Sequence, residues 1–410
     1  MKFLLCAILG VSSAMTFAQQ PAAAKNADEA EVTKDNNAFA ADLYGRLRAQ
    51  RGNLFFSPES ISTAFAMAYA GARGETAAQM QRVFHYTLPP ERLHPAMGEL
   101  LAAMNAQHHG YELRVADALW AQQDESFLPS YLTLMQSEYG AGLRRVDFEA
   151  SPEAVRGTIN QWVEQETNHR IQNLIGPGVL TATTRLVLTN AIYFKGSWQD
   201  PFQKSATADE EFYLSTGQPV KTPLMHRSGG YLYYDGGTFQ ELQLPYQSGD
   251  QGNELAMVVL LPKEKDGLAA LEEKFTAASA SEWLRRMEFA DKVILTVPRF
   301  TMTQQFELSP TLAAMGMPQA FSSSADFSGM TGKPEFTISA AIHKAFIDVN
   351  EEGTEAAAAT STVMRATAMR LPRPEPPPIV FRADHPFLFM IRDAGTGEIV
   401  FLGRVEDPRA

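Results

Sequence analysis

The segment that most limits what this chain can become is Glu351-Glu-Gly-Thr-Glu-Ala-Ala-Ala-Ala-Thr360. A strand-like run, Ala341 to Asn350, leads into it, and the proline cluster Pro372 to Pro378 follows after a mixed stretch. Side chains alternate along a strand. In extended form Thr354, Ala356, Ala358, Thr360 and Thr362 therefore share one small face, and Glu355 is the only ionisable group on the other. Such a ribbon meets little steric resistance between two existing strands. The same letters admit a second reading, because Glu-Ala-Ala-Ala-Ala is strong helix sequence or a plain flexible linker. Local composition alone favours helix or linker, and at this level the alternatives stay open.

The chain is long enough, at 410 residues with 45% hydrophobic, to bury a large core. Its net charge of −12 supplies no cationic field for a polyanion, so a nucleic-acid partner is not expected. The first eighteen residues read as a secretory signal: Lys2, the apolar stretch Phe3 to Val11, and Thr16-Phe-Ala18 before Gln19. The apolar part is too short to span a bilayer and no other run qualifies, so a membrane partner is not expected either. The single cysteine, Cys6, lies inside that signal. The exported chain then has no disulfide, thiolate nucleophile or cysteine metal site. Export to the periplasm or beyond is the expectation.

After the signal, residues 19–34 read as a flexible leader and 35–410 as one domain. Helical spacing runs through Phe39, Leu43 and Leu47, and again over 61–70, 76–84, 95–107, 129–139, 151–167 and 268–287. Strand patterns fall at 53–56, 113–121, 143–148, 185–194, 292–300, 335–349 and 386–405, with several short strands between 211 and 262. The fold class is α+β with large sheets. No catalytic signature of the nucleophile-elbow, Ser-x-x-Lys, zinc-protease or phosphate-loop kind occurs. His108-His109 is the one histidine pair, and adjacent residues are poor ligands for one metal. The reading is a non-enzyme with no cofactor and no metal.

Four segments carry a family resemblance. They are Asn53-Leu-Phe-Phe-Ser-Pro-Glu-Ser60, Thr189-Asn-Ala-Ile-Tyr-Phe-Lys-Gly-Ser-Trp198, His343-Lys-Ala-Phe-Ile-Asp-Val-Asn-Glu-Glu-Gly-Thr-Glu355 and Phe381-Arg-Ala-Asp-His-Pro-Phe387. In that order, over nearly the whole chain after the signal, they resemble the serpins, in a bacterial, secreted, inhibitory form. The resemblance implies three β-sheets, eight or nine helices and an exposed reactive loop, here about 351–378. It implies a suicide substrate of serine, sometimes cysteine, proteases, with the target protease as covalent partner and a monomer otherwise. Serpin loop insertion is a standing example of strand addition and of strain release. The cleaved loop enters the central sheet before water can free the acyl-enzyme, so the native state must be metastable.

In this context the hinge reading prevails over helix or linker, with Glu351, Gly353, Thr354, Glu355, Ala356, Ala357, Ala358 and Ala359 as the hinge. Ser57, Ser60, Asn190 and His343 match the family's sheet-opening cluster, and Trp198 its tryptophan at the top of that sheet. The family's spacing, seventeen residues from Glu351 inclusive, puts the scissile bond at Thr367-Ala368, suited to an elastase-like pocket. Arg365 and Arg370 are alternatives for a trypsin-like one. This loop is several residues longer than the family's, and the excess is placed in Pro372 to Pro378. A non-inhibitory member acting as a binding or carrier protein remains the alternative.

Overall fold

The computed structural model describes residues 27–106, 110–140, 142–248, 255–334, 336–354 and 377–410. The signal, His108-His109 and the loop from Glu355 through Arg365, Thr367, Ala368 and Arg370 lie outside them. Fifteen strands are described: β1 (Leu54–Phe56), β2 (Tyr111–Gln122), β3 (Leu143–Val146), β4 (Leu186–Ser197), β5 (Ala208–Tyr213), β6 (Pro219–Asp235), β7 (Phe239–Pro245), β8 (Leu255–Pro262), β9 (Glu288–Pro298), β10 (Phe300–Glu307), β11 (Ala340–Asn350), β12 (Gly353–Thr354), β13 (Ile379–Arg382), β14 (Phe387–Asp393) and β15 (Ile399–Val405).

Six of them form a sheet in the order β10-β11-β12-β4-β2-β3. The other nine form a second sheet, β1-β15-β14-β8-β7-β6-β9-β13 with β5 on β6. Hydrogen bonding thus joins two of the three sheets implied by the resemblance. The cause is β6, one 17-residue strand where several short ones were expected. It pairs with β5, β7 and β9, and its register on β9 breaks between Gly229 and Tyr231. Such a bulge bends a strand without ending it.

Two helices matter most for the site, α1 (Ala27–Leu47) and α2 (Pro58–Gly71). The first corrects the leader, since residues 27–34 are helix. Val32 is 1% exposed and extends the stripe of Phe39, Ala40, Leu43 and Leu47. The alanine-rich, charged composition read as loose is good helix sequence once that stripe has a core to meet. Helix α2 begins where Ser57, extended at φ −109°, accepts a hydrogen bond from the Ser60 amide, with Pro58 at the first helical position. That is the expected chemistry of a helix start. Every residue of α2 except Ala70 is buried, because it packs on β2, β4 and β15.

The ten α-helices among the described residues exceed the expected eight or nine through short pieces such as the four-residue Ser328–Thr331. The expected long helix over 268–287 is two, Leu268–Lys274 and Ala277–Arg285, separated where Thr276 and Ser279 make a capping box. No helix among the described residues is long and apolar enough to cross a membrane.

Candidate functional site

The site is the seam between β11 and β4. These neighbours run parallel and pair from Ala340 opposite Val187 to Phe346 opposite Tyr193. Above Phe346 they part, and β12 occupies the gap. Thr354 lies opposite Val349 of β11 and Gly196 of β4, and Gly353 opposite Asn350 and Ser197, antiparallel to both. The hinge residues Gly353 and Thr354 are therefore already strand. Thr354 is fully buried, and its hydroxyl is hydrogen-bonded to that of Tyr246 at 2.8 Å. Gly353 sits at φ +151°, and a Cβ there would lie 1.9 Å from the carbonyl oxygen of Gly196. Only glycine fits a backbone that turns this closely onto its neighbour.

The top of the seam is fastened by groups from several elements. Trp198 Nε1 donates to the Asn350 carbonyl at 2.9 Å, and its ring stacks on Tyr246 with centroids 4.5 Å apart. Glu351, 1% exposed, accepts from Thr207 Oγ1 at 2.7 Å and pairs with Arg299. Burial opposes its charge, but these partners win and hold its carboxyl below the usual range. Glu352 pairs with Lys204 at 2.6 Å. Placing Glu351→Lys against Arg299 leaves one buried cation unpaired. Arg299 is 44% exposed, so the cost falls at the low end for broken pairs, about 1–3 kcal/mol. The expected outcome is a lower Tm and faster loss of the intact form on warming, read by thermal melts and native electrophoresis.

Lower down, the expected cluster is assembled. Ser57 N–H donates to His343 Nε2 at 3.2 Å, so the imidazole proton is on Nδ1, which meets Asn190 Oδ1. Asn190 Nδ2 donates to Ser60 Oγ at 2.5 Å and to Asp117 Oδ1. Ser57 Oγ donates to the Val400 carbonyl at 2.7 Å. His343 and Asn190 are a register pair across the seam, and the serines come from the first turn of α2. One network ties both halves of the seam to the helix above it, with Ser57, Ser60, Asn190 and His343 all fully buried.

Asp117 was not foreseen. It lies opposite Asn190 on β2, and the signal for it was present: an acid in the middle of an apolar strand. Burial pushes its carboxyl well above the usual range, reinforced by the nearby Glu59. Arg299, Thr207 and Tyr246 carried no such signal, since only the fold brings them to the hinge.

Burial drives the His343 imidazole down to about 3 from 6.5. Between those values the unfolded chain holds a proton that the folded one does not. This contribution is complete above the ordinary imidazole range and is lost as pH falls toward about 3. Burial raises Glu59 from 4.5 to about 8, giving the opposite slope: its contribution is complete below 4.5 and lost as pH rises through about 8. Melting curves across this range are expected to fall at both ends. His343→Gln flattens the acid arm and Glu59→Gln the alkaline arm.

The serpin family model, described as a serine protease inhibitor, matches residues 34–408. The chain belongs to the serpin family. It is 40% identical over 389 residues to the human leukocyte elastase inhibitor, covering 92% of this chain and all of that protein. An uncharacterized serpin-like protein of Thermococcus kodakarensis is 38% identical over 386 residues, covering 94% of this chain and 88% of that one. Among solved structures, uncleaved ovalbumin superposes with a TM-score of 0.82 at 29% identity, covering 92% of this chain and 100% of that one. Arabidopsis AtSerpin1 in its native stressed conformation gives 0.81 at 30%, covering 93% and 99%.

Proposed function

We propose that this serpin is a suicide-substrate inhibitor of serine proteases that traps the acyl-enzyme by zipping its cleaved loop into the β11–β4 seam. The observation that carries this reading is β12, a strand of two residues already seated between β11 and β4. Its register continues without adjustment. Three residues beyond Thr354, position 357 meets Phe346 and Tyr193, which are paired with each other now. Six residues beyond, Thr360 meets the register pair His343 and Asn190. The small face noted in the sequence would thus run down the buried side of the seam, and a threonine would arrive at the polar network.

Insertion replaces one parallel pairing by two antiparallel ones, which are slightly more stable per residue. The gain of roughly ten ladder hydrogen bonds, each about 0.5–1.5 kcal/mol net, is on the order of ten kcal/mol. That is enough to distort a protease of ordinary stability. The human relative is named for leukocyte elastase, and a small residue such as Thr367 suits that kind of pocket. Arg365 and Arg370 keep a trypsin-like target open. Secretion under the 1–18 signal and action as a monomer complete the reading.

The test is incubation of the purified protein with elastase-, trypsin- and subtilisin-like proteases. An SDS-resistant complex is expected with at least one, and mass spectrometry of the released fragment identifies the bond. Clean cleavage by all three with no complex would instead make the protein a non-inhibitory binding or carrier serpin.

A further inference from the structure

Beside the first turn of α2 lies a cavity of about 50 Å³, larger than one water requires. Its apolar wall is formed by Leu100, Met104, Leu113, Leu255 and Val400, and the acids Glu59 and Glu398 also line it. Both acids are buried, 0% and 2% exposed. One oxygen of each is satisfied: Thr63 Oγ1 donates to Glu59 Oε1 and Asn36 Nδ2 to Glu398 Oε1, each at 3.0 Å. The second oxygen of Glu59, Oε2, has no hydrogen-bond partner among the described residues, and that of Glu398 has none among them within bonding distance, the nearby Thr33 hydroxyl only easing its charge.

Two buried carboxyl oxygens facing one cavity need a donor or a countercharge. Burial raises Glu398 well above its usual range, and the neighbouring Glu59 adds to this. The pair therefore repels itself unless something positive or a proton intervenes. Glu29 and Asp393 line the same cavity, so its acidic character extends beyond the two buried groups. No three His, Cys, Asp or Glu side chains among the described residues stand close enough to hold a metal ion. An ammonium group instead offers three N–H donors with one charge, and an alkyl stem matches the apolar wall.

We propose that this cavity binds a small primary alkylamine, its ammonium between the free oxygens of Glu59 and Glu398 and its chain along the Leu100–Val400 wall. The position of Glu59 gives the site a consequence. It lies between Ser57 and Ser60, the two residues by which α2 grips the seam. A ligand on Glu59 binds the closed arrangement of that turn and stabilises it by mass action.

The experiment is calorimetric titration of the full chain with putrescine at about pH 9, above the value of about 8 to which burial lifts Glu59 and where the amine is still charged, accompanied by thermal melts. One saturable site per chain and a rise in Tm are expected. Binding should weaken at least about tenfold in Glu59→Gln/Glu398→Gln, since both charge-assisted bonds are lost. Glu241→Gln, which neutralises another buried carboxyl with unpartnered oxygens, should bind as the parent does. Glu398→Gln alone should show part of the loss, and serves if the double variant does not fold. Absence of saturable heat at millimolar putrescine, equal affinity in the double variant, or tighter binding of calcium than of putrescine would each overturn the assignment. These readouts do not depend on protease inhibition, so the amine site and the inhibitory reading fail separately.

Discussion

Replacing Thr354 by arginine is expected to turn the inhibitor into a substrate. The side chain at this position is fully enclosed, facing Tyr246 in a slot between β11 and β4. A guanidinium there takes the place of the Thr354–Tyr246 hydrogen bond, and burying it against a hydroxyl rather than a carboxylate costs several kcal/mol. Inhibition is a race between insertion and hydrolysis of the acyl-enzyme, and each 1.36 kcal/mol added to the insertion barrier slows it about tenfold. The stoichiometry of inhibition should therefore rise at least about tenfold, while the rate of loop cleavage changes little. Expulsion of β12 from the native sheet should also alter the fluorescence of Trp198, which stacks on Tyr246. Thr360→Arg separates the two effects, because its obstruction arises only when that residue reaches His343 and Asn190. It should raise the stoichiometry without the fluorescence change. Unaltered stoichiometry in both variants would refute insertion along this register.

Cleavage within the loop is expected to make the protein melt at least about ten degrees higher. A stabilisation on the order of ten kcal/mol in a domain of this size corresponds to a shift of that order. The physical source is the seam. In the intact protein seven residue pairs of β11 and β4 face each other directly, Ala340–Phe346 against Val187–Tyr193. Once the loop is cut, its hinge side can replace each of these contacts with two. The polar network need not be lost in the exchange, since Thr360 brings a hydroxyl to the place where His343 and Asn190 separate. Scanning calorimetry of intact and clipped protein measures the difference. Equal melting temperatures would mean that no free energy is stored, and the inhibitory reading would fall with it.

Much of the fold could be read from local chemistry. The helix at 129–139 was delimited correctly because Pro129 opens it and Gly140, in the left-handed region at φ +62°, closes it. The helix over Pro152–Glu166 also follows a proline at its first position. Where the reading slipped, a distant partner had decided the matter. Residues 27–34 looked like a leader until Val32 found the core, and Asp28 is tied to Arg92 from another helix. The helix beginning at Pro90 contains Pro95, and the sequence reading took that second proline for the start. Strand β6 runs through a bulge that a turn-based reading cuts into pieces.

For the site the division is sharper. The letters alone determined that a ribbon of small residues follows a buried strand, and that Ser57, Ser60, Asn190 and His343 belong together by resemblance. That only glycine fits at 353 came from the fold, where a Cβ would meet the Gly196 carbonyl. What the tertiary structure decided is where the ribbon stops: with Gly353 and Thr354 inside the sheet and seven closed pairs below them. Register is a relation between chains of atoms far apart in sequence, set here by the pairing of β11 with β4. No local pattern encodes it, and the same is true of Glu59 and Glu398, whose carboxyls matter only because the fold buries both against one cavity.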